Sequence, residues 1–252
     1  MFDCTGKRAL LSGASRGIGL AITELLLHSG AEVCLVARGK QELDERVLAF
    51  REQGLNAWAV AADVSVESGR DIVVQRVMEH WDSLDILVNC AGTNIRKPTV
   101  DFSLEEFDLV FRTNAISAFE LSRRLHPLLT SVHDASIVFI GSTAGLRTVP
   151  TGAAYAMSKA ALDQLTRYLA VEWAQDGIRV NSVAPWYIRT PLVEQLLSDS
   201  EYYSRVIDRT PLGRIGEASE VAGITVFLCS SAASFITGQS IAVDGGFLAK
   251  GL

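Results

Sequence analysis

The stretch Arg8-Ala9-Leu10-Leu11-Ser12-Gly13-Ala14-Ser15-Arg16-Gly17-Ile18-Gly19 decides how this chain folds. It starts as a short apolar β-type run, turns through three glycines, and enters a helical pattern at Ile18. Glycines let the backbone turn sharply and let phosphate oxygens come close. The start of a helix adds unpaired N–H groups and a partial positive charge. A glycine loop that follows a strand and opens a helix has the context of a dinucleotide pyrophosphate site. On this reading Gly13, Ser15, Arg16, Gly17, Ile18 and Gly19 hold the phosphates. The plain alternative is a tight turn without a ligand.

The same rhythm continues outward from this loop. Strand candidates are Arg8–Leu11, Glu32–Val36, Ala57–Ala61, Ile86–Asn89, Ser136–Ile140, Arg179–Val183 and Ser240–Val243. They are continuous apolar runs, as expected of strands covered on both faces. Helical patterns lie between them, at about Ile18–Ser29, Gln41–Gln53, Val66–Trp81, Leu104–Leu129, Ala153–Gln175 and Ala218–Leu228. Gly30, Gly54 and Gly177 stand where helices stop, and Ser103-x-x-Glu106 reads as a capping box. The alternation predicts a doubly wound α/β fold: a seven-stranded parallel sheet with helices on both faces. No linker, repeat or low-complexity tract interrupts it, so residues 1–252 read as one domain. The mixed stretch 190–216, after the sixth strand, reads as a lid over a site.

Composition excludes other classes. Of 252 residues, 48% are hydrophobic and 21% charged, which is ample for a core. The net charge is −6, with no basic run, against a nucleic-acid partner. Mean hydropathy is high at +0.23, yet no apolar run reaches the ~18 residues of a membrane span. Cys4, Cys34, Cys90 and Cys229 are scattered, with no metal-ligand spacing, and read as small hydrophobes. The acid-bearing start does not read as a signal peptide, so a cytoplasmic location is expected.

The end of the second strand bears on the cofactor. An acidic residue there would bind the ribose 2′-hydroxyl of NAD, but this chain has Arg38. Arg16 and Arg38 together can bracket a 2′-phosphate with charge-assisted hydrogen bonds, which favours NADP(H). Either arginine alone would read as a solvated charge. Asp63-Val64 and Asn89-Cys90-Ala91-Gly92 end the next two strands, where an adenine and a ribose would lie. Both are also ordinary strand-to-loop turns.

Tyr155 and Lys159 share one helix face at i and i+4. An ammonium stabilises a phenolate, so such a pair suits acid/base work on a carbonyl/alcohol couple. By itself the spacing is common by chance. Ser142, at the carboxyl end of the fifth strand, faces the same crevice.

The glycine loop, Asp63, Asn89-Cys90-Ala91-Gly92, Asn114, Ser142, Tyr155/Lys159, Val180-Asn181-Ser182-Val183, Ile188-x-Thr190 and Asp244-Gly245-Gly246 come in order along the whole chain. In this the sequence resembles the short-chain dehydrogenase/reductase family. The run Ala161–Arg167, the stretch Val171–Ala174 and the tail Val243–Lys250 are most similar to its tropinone-reductase-like group. Acyl-carrier-protein 3-oxo reductases and sugar-acid dehydrogenases share much of this pattern. The resemblance implies that Tyr155 exchanges the proton with the carbonyl oxygen and that Ser142 orients it. It implies that Lys159 binds the nicotinamide ribose and lowers the Tyr155 pKa, and that Asn114 holds a water linking Lys159 to solvent. Pro185, Ile188 and Thr190 would lie beside the nicotinamide, with Asn89, Ala91 and Gly92 along the ribose. A homotetramer built on the two long helices is also implied. A small ketone or alcohol is the expected partner, with no nucleic acid and no membrane. A non-catalytic NADP(H) sensor on the same fold is the competing class, which has no need of this reactive set.

Three positions depart from the family pattern. Ser12 replaces a Thr and keeps the hydroxyl, and Cys90 replaces an Asn, so an amide hydrogen bond must be replaced or lost. Trp186 stands where glycine is usual. Its indole either walls the substrate pocket or packs under the lid. The lid residues Leu192, Val193, Leu196, Leu197, Tyr202, Tyr203, Val206 and Ile207 likewise either line an apolar pocket or bury the lid's own helices. An apolar lining would favour a hydrophobic or cyclic ketone.

Overall fold

The apolar runs become strands because each of their faces meets a different core. Ala9 and Leu11 enter one core with Ile86 and Val88, while Leu10 and Leu87 enter the other. The computed structural model describes residues 2–250, and of residues 192 and 195 the backbone alone. Its strands are β1 (Arg8–Ser12), β2 (Glu32–Ala37), β3 (Ala57–Ala61), β4 (Ile86–Asn89), β5 (Ala135–Ile140), β6 (Ile178–Pro185) and β7 (Ser240–Val243). All pair in parallel, in the order β3-β2-β1-β4-β5-β6-β7.

The helices are α1 (Gly17–His28), α2 (Lys40–Glu52), α3 (Glu67–His80), α4 (Leu104–Phe111), α5 (Ser117–Leu129), α6 (Thr143–Leu146), α7 (Ala153–Glu172), α8 (Pro191–Leu197), α9 (Ser200–Asp208) and α10 (Ala218–Cys229). Ile22 and Leu26 of α1, Leu43 of α2 and Val226 of α10 cover one face of the sheet. Val73 of α3, Leu121 and Leu125 of α5, and Leu162 and Leu169 of α7 cover the other. The order reverses at β1, which pairs with both β2 and β4. Crossovers on either side of such a point leave on opposite faces, and a crevice opens at the carboxyl ends between them.

The helical pattern expected over residues 104–129 is broken. A π turn, Arg112–Ile116, separates α4 from α5. Helix α4 opens on the expected box: Ser103 Oγ accepts from the Glu106 N–H at 3.3 Å, and Glu106 Oε2 accepts from the Ser103 N–H at 2.9 Å. Strand β6 runs to Pro185, two residues beyond the expected end, and helix α7 stops at Glu172, short of Gln175. The stretch 190–216, expected as a lid, folds into α8 and α9. Among the described residues no helix is long and apolar enough to cross a membrane.

Candidate active site

The glycine loop is pressed against its neighbours. A side chain at Gly13 (φ 74°) would come within 2.8 Å of the Ala91 backbone nitrogen. One at Gly19 would lie 2.0 Å from the Gly13 carbonyl oxygen, so α1 sits directly on the turn that precedes it. Arg16 is the N-cap of α1 but gives no side-chain cap bond, and the first turn holds no acid. That contrasts with the fully capped α4. The N–H groups that open α1 are therefore available to an anion. Ser15 is buried beneath the loop, and Ile18 packs on the core from above. Arg16 and Arg38 are both exposed, and neither guanidinium has a hydrogen bond or ion pair among the described residues. The loop thus fits a pyrophosphate, and its rim carries two guanidiniums free to take a further phosphate.

The ends of β3 and β4 divide between crevice and core. Asp63 Oδ1 accepts from the Ser65 N–H at 2.9 Å, closing its own turn. Val64 is buried in the core, with its carbonyl taken by Arg70. The Asn89 amide turns inward, toward Ser122 Oγ at 3.4 Å. Ala91 is partly exposed and Gly92 exposed, which leaves these two to face the crevice. The hydrogen bonding at Cys90 is supplied by Ser12: its Oγ accepts from the Cys90 and Ala91 N–H groups at 3.2 and 3.3 Å. Cys90 itself is only partly buried, unlike Cys4, Cys34 and Cys229. Desolvation pushes its thiol up to about 11, so it stays protonated.

Ser142 lies two residues past the end of β5 and caps α6, its Oγ accepting from the Ala144 N–H at 3.1 Å. The reactive pair follows on α7. Lys159 is 4% exposed, and its Nζ donates to the Ile140 carbonyl at 2.7 Å. It lies 5.6 Å from the centre of the Tyr155 ring. An ammonium has three N–H donors, and a single backbone carbonyl satisfies one of them. A side chain at Gly92 would meet Lys159 Nζ at 3.7 Å and Asn114 Oδ1 at 3.5 Å, so both groups converge on the crevice wall. Asn114 sits in the π turn, 1% exposed. Its amide bonds both backbone groups of Thr93, at 2.8 and 2.9 Å, and donates to Ser158 Oγ at 2.9 Å. The side chain therefore ties the loop after β4 to α7.

The start of the segment 190–216 rests on the glycine loop, since a side chain at Gly17 would meet Thr190 Cγ2 at 3.3 Å. Ile188 is buried and pairs with Gly216, and Pro185 is buried at the end of β6. Trp186 stacks on Phe247 with ring centres 3.7 Å apart and planes 5° from parallel. Its Nε1 donates to Thr210 Oγ1 at 3.1 Å. Among the described residues none other than glycine has a positive φ, so tryptophan needs no glycine-only backbone here. Of the two readings of Trp186, these contacts support packing under the lid. Within the lid Val206 is buried, and the side chain of Leu192 lies outside the described ones.

One cluster escaped the sequence reading. Arg96, on the loop after β4, donates to Tyr187 Oη at 3.4 Å and to Tyr202 Oη at 3.1 Å. The two tyrosine hydroxyls also bond each other. Burial and that bond push the Tyr187 phenol up to about 12, so it stays protonated. Position at a strand's carboxyl end was the available signal for Arg96; nothing nearby in sequence announces its partners.

Comparison with known proteins identifies the family. A family model described as enoyl-(acyl carrier protein) reductase matches residues 13–248. A tropinone reductase homolog from Arabidopsis thaliana is 48% identical over 251 residues, covering 99% of this chain and 95% of that protein. One from Datura stramonium is 42% identical over 98% of this chain and 93% of its own length. Among solved structures, a gluconate 5-dehydrogenase from Burkholderia cenocepacia in complex with NADP and tartrate superposes with a TM-score of 0.95 at 31% identity, over 99% and 98% of the two chains. The Pseudomonas aeruginosa RhlG/NADP complex does so with a TM-score of 0.92 at 33% identity, over 98% of each chain. With its doubly wound sheet and glycine loop, this tropinone-reductase-like chain belongs to the short-chain dehydrogenase/reductase family of NAD(P)-dependent oxidoreductases.

Proposed function

We propose that this protein is an NADP(H)-dependent carbonyl reductase acting on a hydrophobic or cyclic ketone. The observation that carries the reading is Lys159: a buried ammonium beside Tyr155, with a backbone carbonyl as its one acceptor among the described residues, at the wall formed by Gly92. Its two remaining donors suit the hydroxyls of a ribose. NADP(H), when bound, supplies or accepts the hydride. Gly13, Ser15, Gly17, Ile18 and Gly19 hold its pyrophosphate, and Arg16 and Arg38 bracket the 2′-phosphate. Asp63 and Val64 border the adenine, and Pro185, Ile188 and Thr190 border the nicotinamide. Ser142 Oγ orients the carbonyl oxygen and Tyr155 exchanges its proton, in a site where orientation and electrostatics are the protein's share of catalysis. Asn114 keeps the loop after β4 against α7, and holds the water that links Lys159 to solvent.

The direct experiment follows NADPH absorbance against a panel of cyclic and open-chain ketones. Oxidation of NADPH by at least one of them is expected. NADPH binding without turnover across the panel would favour the sensor reading instead.

The protein acts as a single cytoplasmic domain with residues 190–216 as its lid, and assembles as a homotetramer. Exposed apolar side chains on the long helices support the assembly: Phe119 on α5 is 43% exposed, and Tyr168 and Val171 on α7 are 62% and 81% exposed. Light scattering should give four times the chain mass of 27.2 kDa. A monomer mass would refute it.

A further inference from the structure

We propose that Asp163 is a positioning residue that keeps Tyr155 a proton donor, by setting a buried negative charge behind Lys159. This rests on the carbonyl-reductase reading of the site. Among the described residues Asp163 is the one buried carboxylate, at 2% exposed, and Lys159 is the one buried lysine, at 4%. They stand four apart on α7, so they share a face one turn from each other. The other buried charges are Arg70 and Arg179. Arg179 pairs with Asp134 at 2.9 Å, and Arg70 donates to the Val64 carbonyl at 2.9 Å. A buried charge is costly unless it is matched. Lys159 has a carbonyl as its direct partner and Asp163 a hydroxyl, so each is the counter-charge within a helical turn of the other.

The carboxylate lies behind the turn that carries Ser142. A side chain at Gly145 would come within 2.7 Å both of Asp163 Oδ2 and of the Lys159 backbone carbon. Helix α6 therefore packs on the turn of α7 that joins the two charges. A side chain at Gly141 would meet Ser182 Oγ at 2.7 Å and Asp163 Oδ1 at 3.6 Å. Lys159 Nζ bonds the carbonyl of Ile140, the residue before Gly141. Lys159 and Asp163 thus hold the two ends of the segment 140–145, with Ser142 between them. Burial pushes the Asp163 carboxyl above the ordinary 3.8, and the hydroxyls of Ser240 and Ser182, then Arg167 and Lys159, draw it back. Beyond Lys159, at the end of β4, the Cys90 thiol is pushed up to about 11 by burial and stays neutral.

The consequence concerns a proton. An ammonium stabilises a phenolate, so Lys159 alone would draw Tyr155 toward that form. A carboxylate behind the ammonium offsets part of its field. It also repels a phenolate at Tyr155, eight residues or about 12 Å away along the helix axis. In reduction the carbonyl oxygen takes the Tyr155 hydroxyl proton and leaves a phenolate, which regains a proton from solvent. Reduction needs Tyr155 protonated at the working pH, and Asp163 extends the range over which it is.

A spectroscopic titration tests this without a substrate. Tyrosinate absorbance of the protein saturated with NADP⁺ is followed from neutral pH upward. Subtracting the same titration of Tyr155→Phe isolates Tyr155, and each further variant is paired with its own Tyr155→Phe double. Asp163→Asn keeps the shape and removes the charge, and should lower the midpoint by about half a pH unit or more. Ser240→Ala removes the hydrogen bond and leaves the charge, and should keep the wild-type midpoint. An unchanged or higher midpoint in Asp163→Asn, or an equal drop in Ser240→Ala, would overturn the proposal. Kinetics carry the test to the reaction. With NADPH and cyclohexanone, the fall of kcat/KM toward alkaline pH should begin lower in Asp163→Asn, a loss of about threefold at a fixed pH on that limb. A lowered midpoint without turnover of any ketone would keep the role of Asp163 and sink the reductase. Turnover with an unmoved midpoint would do the reverse.

Discussion

Two regions meet at the carboxyl edge of the sheet, and they are built by different means. Around the glycine loop the contacts are backbone against backbone: Gly19 under the Gly13 carbonyl, Gly13 against Ala91, and Ser12 Oγ holding two N–H groups of the next strand end. Around the lid they are side chain against side chain: Trp186 on Phe247, Trp186 to Thr210, and Arg96 to two tyrosines. A backbone cradle has no room for a side chain, so it accepts few sequences and binds a constant group. A surface held by side chains can change its lining residue by residue, and on the proposed function this is where the substrate would be chosen.

If this contrast holds, the largest effect falls on the cradle. Gly19→Ala places a methyl 2.0 Å from a backbone oxygen with nowhere to move. Stability should fall by about 3 kcal/mol or more, and NADPH affinity should fall with it. A denaturation midpoint within error of the wild type would break the account of the cradle. The rim of the same region should act on cofactor choice alone. In Arg38→Asp the NADPH-to-NADH ratio of kcat/KM should drop about a hundredfold, roughly the worth of two charge-assisted hydrogen bonds. An unchanged ratio would remove Arg38 from the site.

On the lid side, Trp186→Gly loses a stacked ring and a hydrogen bond. Stability should fall by about 2 kcal/mol, with Tm lower by about 4–8 °C, while the order of preference among ketones is kept. A broadened ketone profile would make Trp186 a pocket wall. The smallest effect is expected at the seam below both regions. Asp163 is 2% exposed; its Oδ1 accepts from Ser240 Oγ at 2.7 Å, the Ser182 hydroxyl lies close by, and its Oδ2 makes no well-formed hydrogen bond among the described residues. Burial raises its pKa above the ordinary 3.8. The folded state thus holds the proton more tightly, and stability is lost as pH rises from the unfolded value through the folded one. Asp163→Asn should therefore stabilise the protein by about 1 kcal/mol at pH 8 and by less at pH 4. A gain that grows toward acid would reverse the sign of this argument.

The same contrast explains what the sequence made legible. The strands appear as apolar runs because burial on both faces demands apolar residues at every position, as in Leu10 and Leu11. The glycine loop is legible because its geometry forbids other residues. Ser142, Tyr155 and Lys159 stand at strand and helix ends that the pattern already locates. The π turn at Asn114 is different. One wider turn leaves the apolar periodicity of residues 104–129 nearly intact, and what holds Asn114 is its contacts with Thr93 and Ser158. Arg96 meets partners 91 and 106 residues away, so no local pattern could have shown the cluster. Trp186 left two readings open because its decisive partners, Phe247 and Thr210, come from the tail and the end of the lid.

The central claim is that Tyr155, backed by Lys159, exchanges the proton of the reduced carbonyl. Its most direct test is Tyr155→Phe, assayed beside the wild type for single-turnover oxidation of bound NADPH and, by fluorescence, for NADPH binding. The account predicts binding within about threefold of the wild type and oxidation slower by about 10³-fold or more, consistent with loss of a positioned acid. Oxidation at a rate near that of the wild type would contradict it.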